Sequence, residues 1–184
     1  MFATAQKRFY VPRVVARASN IRSGQTVVDI LAGYQGTMTF EAAALAGSQG
    51  IVYAVDLRKT ALQALKGRCE LGHAGNIEAV HGHVERVGGV PLADQIADAV
   101  LLVDALSLLE NRLEVVREVV RLLKSGGILT VVDWHPFGDA RHGPDAARRL
   151  SEQEARSLCL VNALQYEGTF DTGDYHYGFT CRRI

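Results

Sequence analysis

The chain has 184 residues and a mass of 20.0 kDa, with 48% hydrophobic and 22% charged residues. That is the size of one ordinary soluble domain, with apolar side chains enough for a real core and too few residues for two full domains. Twenty Lys and Arg balance twenty Asp and Glu, so no net field attracts phosphate backbones or anionic lipid, and a nucleic-acid partner is disfavoured. No stretch reaches the length of a membrane span and MFATAQKRFY holds no apolar run, so neither a signal peptide nor a membrane partner is expected. Cys69, Cys159 and Cys181 are widely spaced and form no C-x-x-C. They read as buried thiols in a reducing, cytoplasmic setting rather than as a disulfide framework or zinc site.

In chain order, TVVDILAG (26–33) is a short apolar run ending at glycine and predicts a buried strand. TFEAAALAG (39–47) is rich in helix formers and stops at Gly47. IVYAVD (51–56) predicts a second strand ending on an acid, and TALQALKGRCELG (60–72) a helix closed by Gly72. NIEAVHG (76–82) gives a weaker third strand and DAVLLVDAL (98–106) a fourth, apolar almost throughout. NRLEVVREVVRLLKSGG (111–127) carries the helical stripe Leu113, Val116, Val119, Val120 and Leu123, predicting a helix that runs to Gly126 and Gly127. ILTVVDW (128–134) is the fifth strand. SEQEARSLCLVNA (151–163) places Ser151 and Glu154 at capping-box spacing. ALQYEGTFD (163–171) and YHYGFTCRR (175–183), with a short turn between them, predict a terminal antiparallel pair. Strands that alternate with helices and are apolar on both faces imply a parallel sheet covered by helices on each side.

In such a sheet, ligands bind beyond the carboxyl ends of the strands. After the first strand comes Asp29-Ile30-Leu31-Ala32-Gly33-Tyr34-Gln35-Gly36, then a helix start near Thr37. Glycine lets a ligand approach the backbone, and a helix N-terminus offers free N–H donors. After the second strand comes Asp56, whose carboxylate can accept both hydroxyls of a ribose. Turn and acid together point to a ligand containing a nucleoside. A dinucleotide is disfavoured, because only Gly33-x-x-Gly36 is present and the turn has no basic residue.

The chain resembles the class I S-adenosylmethionine-dependent methyltransferases over nearly its whole length. VVDILAGYQGTMTF, IVYAVD, HGHVERV, DAVLLVDALSLL and VVRLLKSGGILTVVDW carry the resemblance. The tail, RRLSEQEARSL with GDYHYGFTCRR, resembles a small bacterial subgroup with a YHYG-containing last strand. The resemblance implies a single methyltransferase-like domain over residues 1–184, with an α/β fold: three layers, Rossmann-like, around seven strands of which the last is antiparallel. It implies S-adenosyl-L-methionine as cofactor. Asp29, Ala32, Gly33, Tyr34 and Gly36 would line its methionine and ribose part, Asp56 would hold the ribose hydroxyls, and Leu57 would pack on the adenine. His83 and Val84 stand where the family contacts the adenine edge, and Asp104 and Ala105 stand beside the sulfonium. The chain departs from the family at Leu31, where the first motif glycine belongs, at the extra residue before Gly36, and at His83, which replaces an acid.

A neutral oxygen or nitrogen acceptor needs a base, and histidine suits that near neutral pH. His135 and His176 are the candidate catalytic residues, and Tyr10, Trp134 and Tyr177 the candidate substrate contacts, with Phe9 beside Tyr10 able to fold over the site. Strand alternation would put Tyr175 and Tyr177 on one face and His176 on the other. His81, His83 and Glu85 alternate, but no further ligands join them, so no metal is expected. Arg141, His142, Arg148 and Arg149 read as a solvated basic loop. The expected activity is methyl transfer by in-line displacement to a small-molecule acceptor. The alternatives are a catalytically silent subunit with a binding or assembly role, and an RNA methyltransferase. A homo-oligomer or a protein partner is left open.

Overall fold

The structure, a computed structural model, describes residues 8–137 and 142–184. Its seven strands are β1 (Thr26–Ile30), β2 (Ile51–Asp56), β3 (Ile77–His81), β4 (Ala97–Val103), β5 (Leu123–Trp134), β6 (Leu164–Thr169) and β7 (His176–Arg183). They form one sheet in the order β3-β2-β1-β4-β5-β7-β6. The first five run parallel, and β7 lies antiparallel between β5 and β6. Chain order reverses between β1 and β4, the switch point at which a crevice opens in sheets of this kind.

Among the described residues five α-helices cover the sheet: α1 (Pro12–Ala18), α2 (Thr37–Ala46), α3 (Lys59–Leu71), α4 (Arg112–Leu122) and α5 (Glu152–Leu160). Val27, Val52, Ala99, Leu101, Val103 and Val132 meet α1 and α2 on one face. Leu65 of α3 reaches the start of α2 on that side, where a side chain at Gly36 would collide with it. Val28, Ile30, Val100, Leu102, Leu129 and Val131 meet α4 and α5 on the other. The β4 side chains feed both faces, so its unbroken apolar run is what a central parallel strand requires. Each large side chain buried this way contributes roughly 1.5–3 kcal/mol.

The expected punctuation holds at several ends. α2 lies between Gly36 and Gly47, both with positive φ. Ser151 and Glu154 close a reciprocal capping box on α5. The expected end of the fourth helix is corrected. α4 stops at Leu122, and Leu123 takes extended backbone and pairs with Ala97 of β4. At Leu123 a ladder partner and full burial outweigh one more helical residue. The buried face of α4 is Val115, Val116, Glu118, Val119 and Leu122, whereas Leu113 is exposed. Among the described residues no helix is long and apolar enough to cross a membrane. The three cysteines are unpaired, with Cys159 and Cys181 buried and Cys69 half-buried.

Candidate active site

The carboxyl end of β1 leads into a tight turn. Leu31 stands at φ +57°, Gly33 at +70° and Gly36 at +59°. A left-handed backbone costs a leucine ~1–2 kcal/mol that a glycine would not pay. The turn therefore keeps a glycine-like geometry at Leu31, and its side chain packs against the core cluster facing α4 and α5. The Ala32 N–H continues the ladder to Val55 O at 3.1 Å. A Cβ on Gly33 would meet only Leu31 O, at 3.8 Å, so the space above the turn is open. Behind it, Asp29 is buried and accepts a hydrogen bond from Thr39 Oγ1 of α2 at 2.5 Å. Burial pushes Asp29 up to about 7, Thr39 pulls it partly back, and nearby Asp56 adds to the rise.

Asp56 ends β2 with its side chain wholly buried. It accepts N–H bonds from Gly33 at 3.1 Å and from Arg58, through backbone N at 2.9 Å, Nε at 3.0 Å and Nη2 at 2.9 Å. Burial raises its carboxyl, but the Arg58 and Gly33 bonds outweigh this and hold it below the ordinary value. The Arg58 guanidinium also lies 5.2 Å from the centre of the Tyr34 ring, and Tyr34 OH pairs with Thr60 Oγ1 at 3.0 Å. Leu57 is exposed, and its carbonyl pairs with His81 Nε2 at 3.0 Å. His83 is exposed beside buried Val84, its backbone N–H donating to Gly89 O at 2.9 Å. Glu85 accepts the N–H groups of Glu110 and Asn111 at the start of α4.

At the end of β4, Asp104 adopts φ +53° and its N–H continues the ladder to Val132 O. Tyr10 OH, just before α1, donates to Asp104 Oδ2 at 3.1 Å, and burial followed by Asp104 pushes the Tyr10 phenol well up. His176, at the start of β7, is 1% exposed. Its Nε2 lies 3.1 Å from Asp104 Oδ1, close enough for an ion pair but out of line for a hydrogen bond. Among the described residues, Asp104 Oδ1 and both ring nitrogens of His176 have no hydrogen-bond partner. Trp134 covers the imidazole at 4.2 Å between ring centres, and Tyr10 meets it edge-on at 5.0 Å. Ala105 is buried next to Asp104.

Tyr10, Trp134, Asp104 and His176 thus converge, on the face shared with α1 and α2. His135 and Tyr177 do not join them. Their rings pair edge-on at 5.7 Å on the opposite face, where Tyr177 stacks parallel to Phe179. Tyr175 also departs from simple alternation: it precedes β7 and stacks on Phe9.

One constellation had no signal in the sequence pattern. Glu118 sits on the buried face of α4 and accepts the N–H groups of Gly88 at 2.7 Å and Val90 at 2.9 Å, together with a two-point bond from Arg121. Arg121 also reaches Val90 O, Leu92 O and Asp94. Where it is described, the basic loop is only partly solvated: His142 and Arg148 are exposed and Arg149 is buried. Arg148 donates to Ser107 O and Leu108 O, and Arg149 donates to the carbonyls of Pro144, His135 and His142. Arg141 lies outside the described residues.

A family profile described as a methyltransferase domain matches residues 28–131, more than half of the chain. The chain belongs to the class I S-adenosylmethionine-dependent methyltransferase family. The ubiquinone/menaquinone biosynthesis C-methyltransferase UbiE of Pseudomonas entomophila is 32% identical to this methyltransferase-family chain over 123 residues, which are 66% of this chain and 46% of that protein. The UbiE protein of Pseudomonas paraeruginosa is 29% identical over 168 residues, 90% of this chain and 60% of that one. The chain spans about half the length of the curated relatives it matches. Among solved structures, a SAM dependent methyltransferase from Aquifex aeolicus superposes with a TM-score of 0.86 at 20% identity, covering 96% of this chain and 91% of that one. Geranyl diphosphate C-methyltransferase from Streptomyces coelicolor, in complex with Mg2+, geranyl diphosphate and S-adenosyl-L-homocysteine, superposes at 0.73 and 14% identity over 94% and 79% of the two chains. At such identities the superpositions speak for the fold. The alternative of a silent subunit draws no support from these relatives.

The residues of this methyltransferase-family chain fit the family's cofactor. The open space above Gly33 admits a ligand to the backbone, and α2 starts beside it. Asp56 offers two carboxylate oxygens, and the Arg58 side chain that now fills them is half exposed. Leu31 crowds the turn less than its identity implies, because the backbone has adopted the glycine conformation around it. Asp29→Asn separates stability from binding. Its folded-state pKa lies above the ordinary 3.8, so Asp29 favours the fold at low pH, and that contribution is lost as pH rises towards about 7. Asp29→Asn is therefore expected to raise stability at pH 8 by ~1–3 kcal/mol in urea titrations and to flatten the decline between these two values. Cofactor affinity is expected to fall in the same variant.

Proposed function

We propose that this chain is an S-adenosylmethionine-dependent methyltransferase acting on a small molecule in the cytoplasm. The observation that carries this reading is one edge of the sheet, where the open Gly33 turn and buried Asp56 share the carboxyl ends of the strands with the couple of Asp104 and buried His176. The first pair suits a nucleoside with two vicinal hydroxyls, and the second suits an acceptor that must lose a proton.

Asp29 and the turn Ala32, Gly33, Tyr34 and Gly36 would hold the methionine end. Asp56 would hold the ribose, while Leu57, His83 and Val84 would flank the adenine. Asp104 and Ala105 would lie nearest the sulfonium, at the end of β4. Bound there, the cofactor supplies an electrophilic methyl group. The chain's own contribution is placement: Tyr10 fixes one oxygen of Asp104, the other faces His176, and Trp134 excludes water from the imidazole. Of the two candidate bases, His176 is favoured, because His135 lies on the opposite face with Tyr177.

Calorimetric titration with S-adenosylmethionine and S-adenosylhomocysteine tests the reading. Micromolar binding of both is the expected outcome. No heat at millimolar ligand would overturn it.

A further inference from the structure

An aromatic box surrounds the Asp104–His176 couple, and a ring of the chain's own occupies it. Phe9 stacks on Tyr175 with ring centres 4.7 Å apart and planes 23° from parallel. It meets His142 edge-on at 5.6 Å and Trp134 edge-on at 6.1 Å, and its centre lies 6.2 Å from that of His176. Residues around Phe9 are pinned in place. Arg8 N–H donates to Asp174 Oδ2 at 2.7 Å, and Arg8 O accepts the Asp174 N–H at 2.7 Å. Yet Phe9 itself is 47% exposed, so its burial does little for the core. Aromatic neighbours arranged stacked and edge-on are the arrangement that selects a flat ring. Beside that ring lie polar atoms that a fold rarely leaves bare: Asp104 Oδ1 and the two nitrogens of His176, all buried and without a hydrogen bond among the described residues, Nε2 and Oδ1 facing each other at 3.1 Å.

We propose that Phe9 holds the place of the methyl acceptor, and that the acceptor is a flat aromatic ring carrying a hydroxyl whose proton passes to His176. This rests on the methyltransferase reading above for the methyl group, but not for the ring. With the ring centres 6.2 Å apart, a hydroxyl on an edge that faces His176 would come within hydrogen-bond range of the imidazole, which a bare phenyl cannot use. Asp104 faces the same imidazole and steadies the proton once it has moved, while Tyr10 keeps Asp104 turned towards it. The transfer balances. The hydroxyl proton goes to a ring nitrogen of His176, the oxygen forms a bond to the methyl carbon as the carbon–sulfur bond breaks, and sulfur keeps that electron pair and leaves as a neutral thioether.

The test removes the stand-in and supplies the ring. In Phe9→Ala, phenol is expected to quench Trp134, the one tryptophan of the chain, with at least ~10-fold tighter binding than in the unaltered protein. It is also expected to bind ~10-fold tighter than toluene, a preference that His176→Phe in the same background abolishes. With 4-nitrophenol, held below the pH of its own ionisation, the yellow phenolate band should grow on binding to Phe9→Ala and fail to grow when His176→Gln is added. Equal affinity for phenol and toluene overturns the role of His176, as does binding without the phenolate band. Phenol binding no tighter to Phe9→Ala than to the unaltered protein, or absent from both, overturns the box. Phe9→Leu, which keeps apolar bulk at the position, controls for a general loosening and should gain nothing. None of these measurements needs the cofactor, so a failed titration with S-adenosylmethionine would leave their outcome standing.

Discussion

Glu118→Ala is expected to destabilise the fold by ~3–5 kcal/mol, measured as a lowered midpoint in urea, because it strands buried partners of a charged group. The carboxylate is wholly buried and satisfies two backbone N–H groups, at Gly88 and Val90, while holding Arg121 by both oxygens. Without it those donors and a largely buried guanidinium lose their partner together, and the loop from β3 to β4 that carries His83 and Val84 loses its anchor. Burial raises the Glu118 carboxyl, but the Arg121, Val90 and Gly88 bonds outweigh it and hold the group below its ordinary 4.5. Its contribution is therefore present above about pH 4.5 and is lost as pH falls through the lower folded value. Glu118→Gln should remove that acid-side dependence while keeping the shape. A urea midpoint in Glu118→Ala equal to that of the unaltered protein would sink this account.

The second large effect concerns the cofactor end. Asp56→Ala is expected to weaken S-adenosylhomocysteine binding by ~1.5–3 kcal/mol, roughly 10- to 100-fold, by removing charge-assisted hydrogen bonds to the ribose. Arg58→Gln should act in the opposite direction. The guanidinium now takes both oxygens that the ribose would use, so a ligand must displace it before it can bind. With the competitor gone, calorimetry should read a several-fold tighter dissociation constant. Weaker binding in Arg58→Gln would mean that Arg58 touches the ligand rather than competing with it.

The strands, their order along the chain and most helix ends could be read from local chemistry. Apolar runs bounded by glycine, the capping pair Ser151 and Glu154, and the acids near the carboxyl ends of β1 and β2 are signals carried within a few residues. α1, entered at Pro12, was not foreseen, since seven residues are too few to show a period. The end of α4 was misread because Leu123 answers to a partner, Ala97, that lies far off in the sequence. Glu118 looked like an ordinary polar residue of an amphipathic helix. Only the packing of the 84–96 loop against α4 makes its burial favourable.

At the site the division is the same. Local sequence supplies the residue types available: an acid near the carboxyl end of each of the first two strands, glycines in the first turn, and histidines and aromatics near the end. It did not determine which of them meet. Asp104 and His176 are 72 residues apart, and they face each other because β7 enters the sheet antiparallel beside β5 and brings His176 opposite Trp134. The same register turns Tyr177 to the other face, one pleat away, beside His135. Phe9 and Tyr10 reach the couple from the far end of the chain, through contacts with the loop before β7. Leu31 reverses the lesson, since its identity signals a broken turn and its backbone shows the turn preserved. Short-range propensity and patterning write the elements into the sequence because each depends on near neighbours. Side-chain convergence depends on strand register and on which face each pleat presents, and only the assembled sheet fixes those.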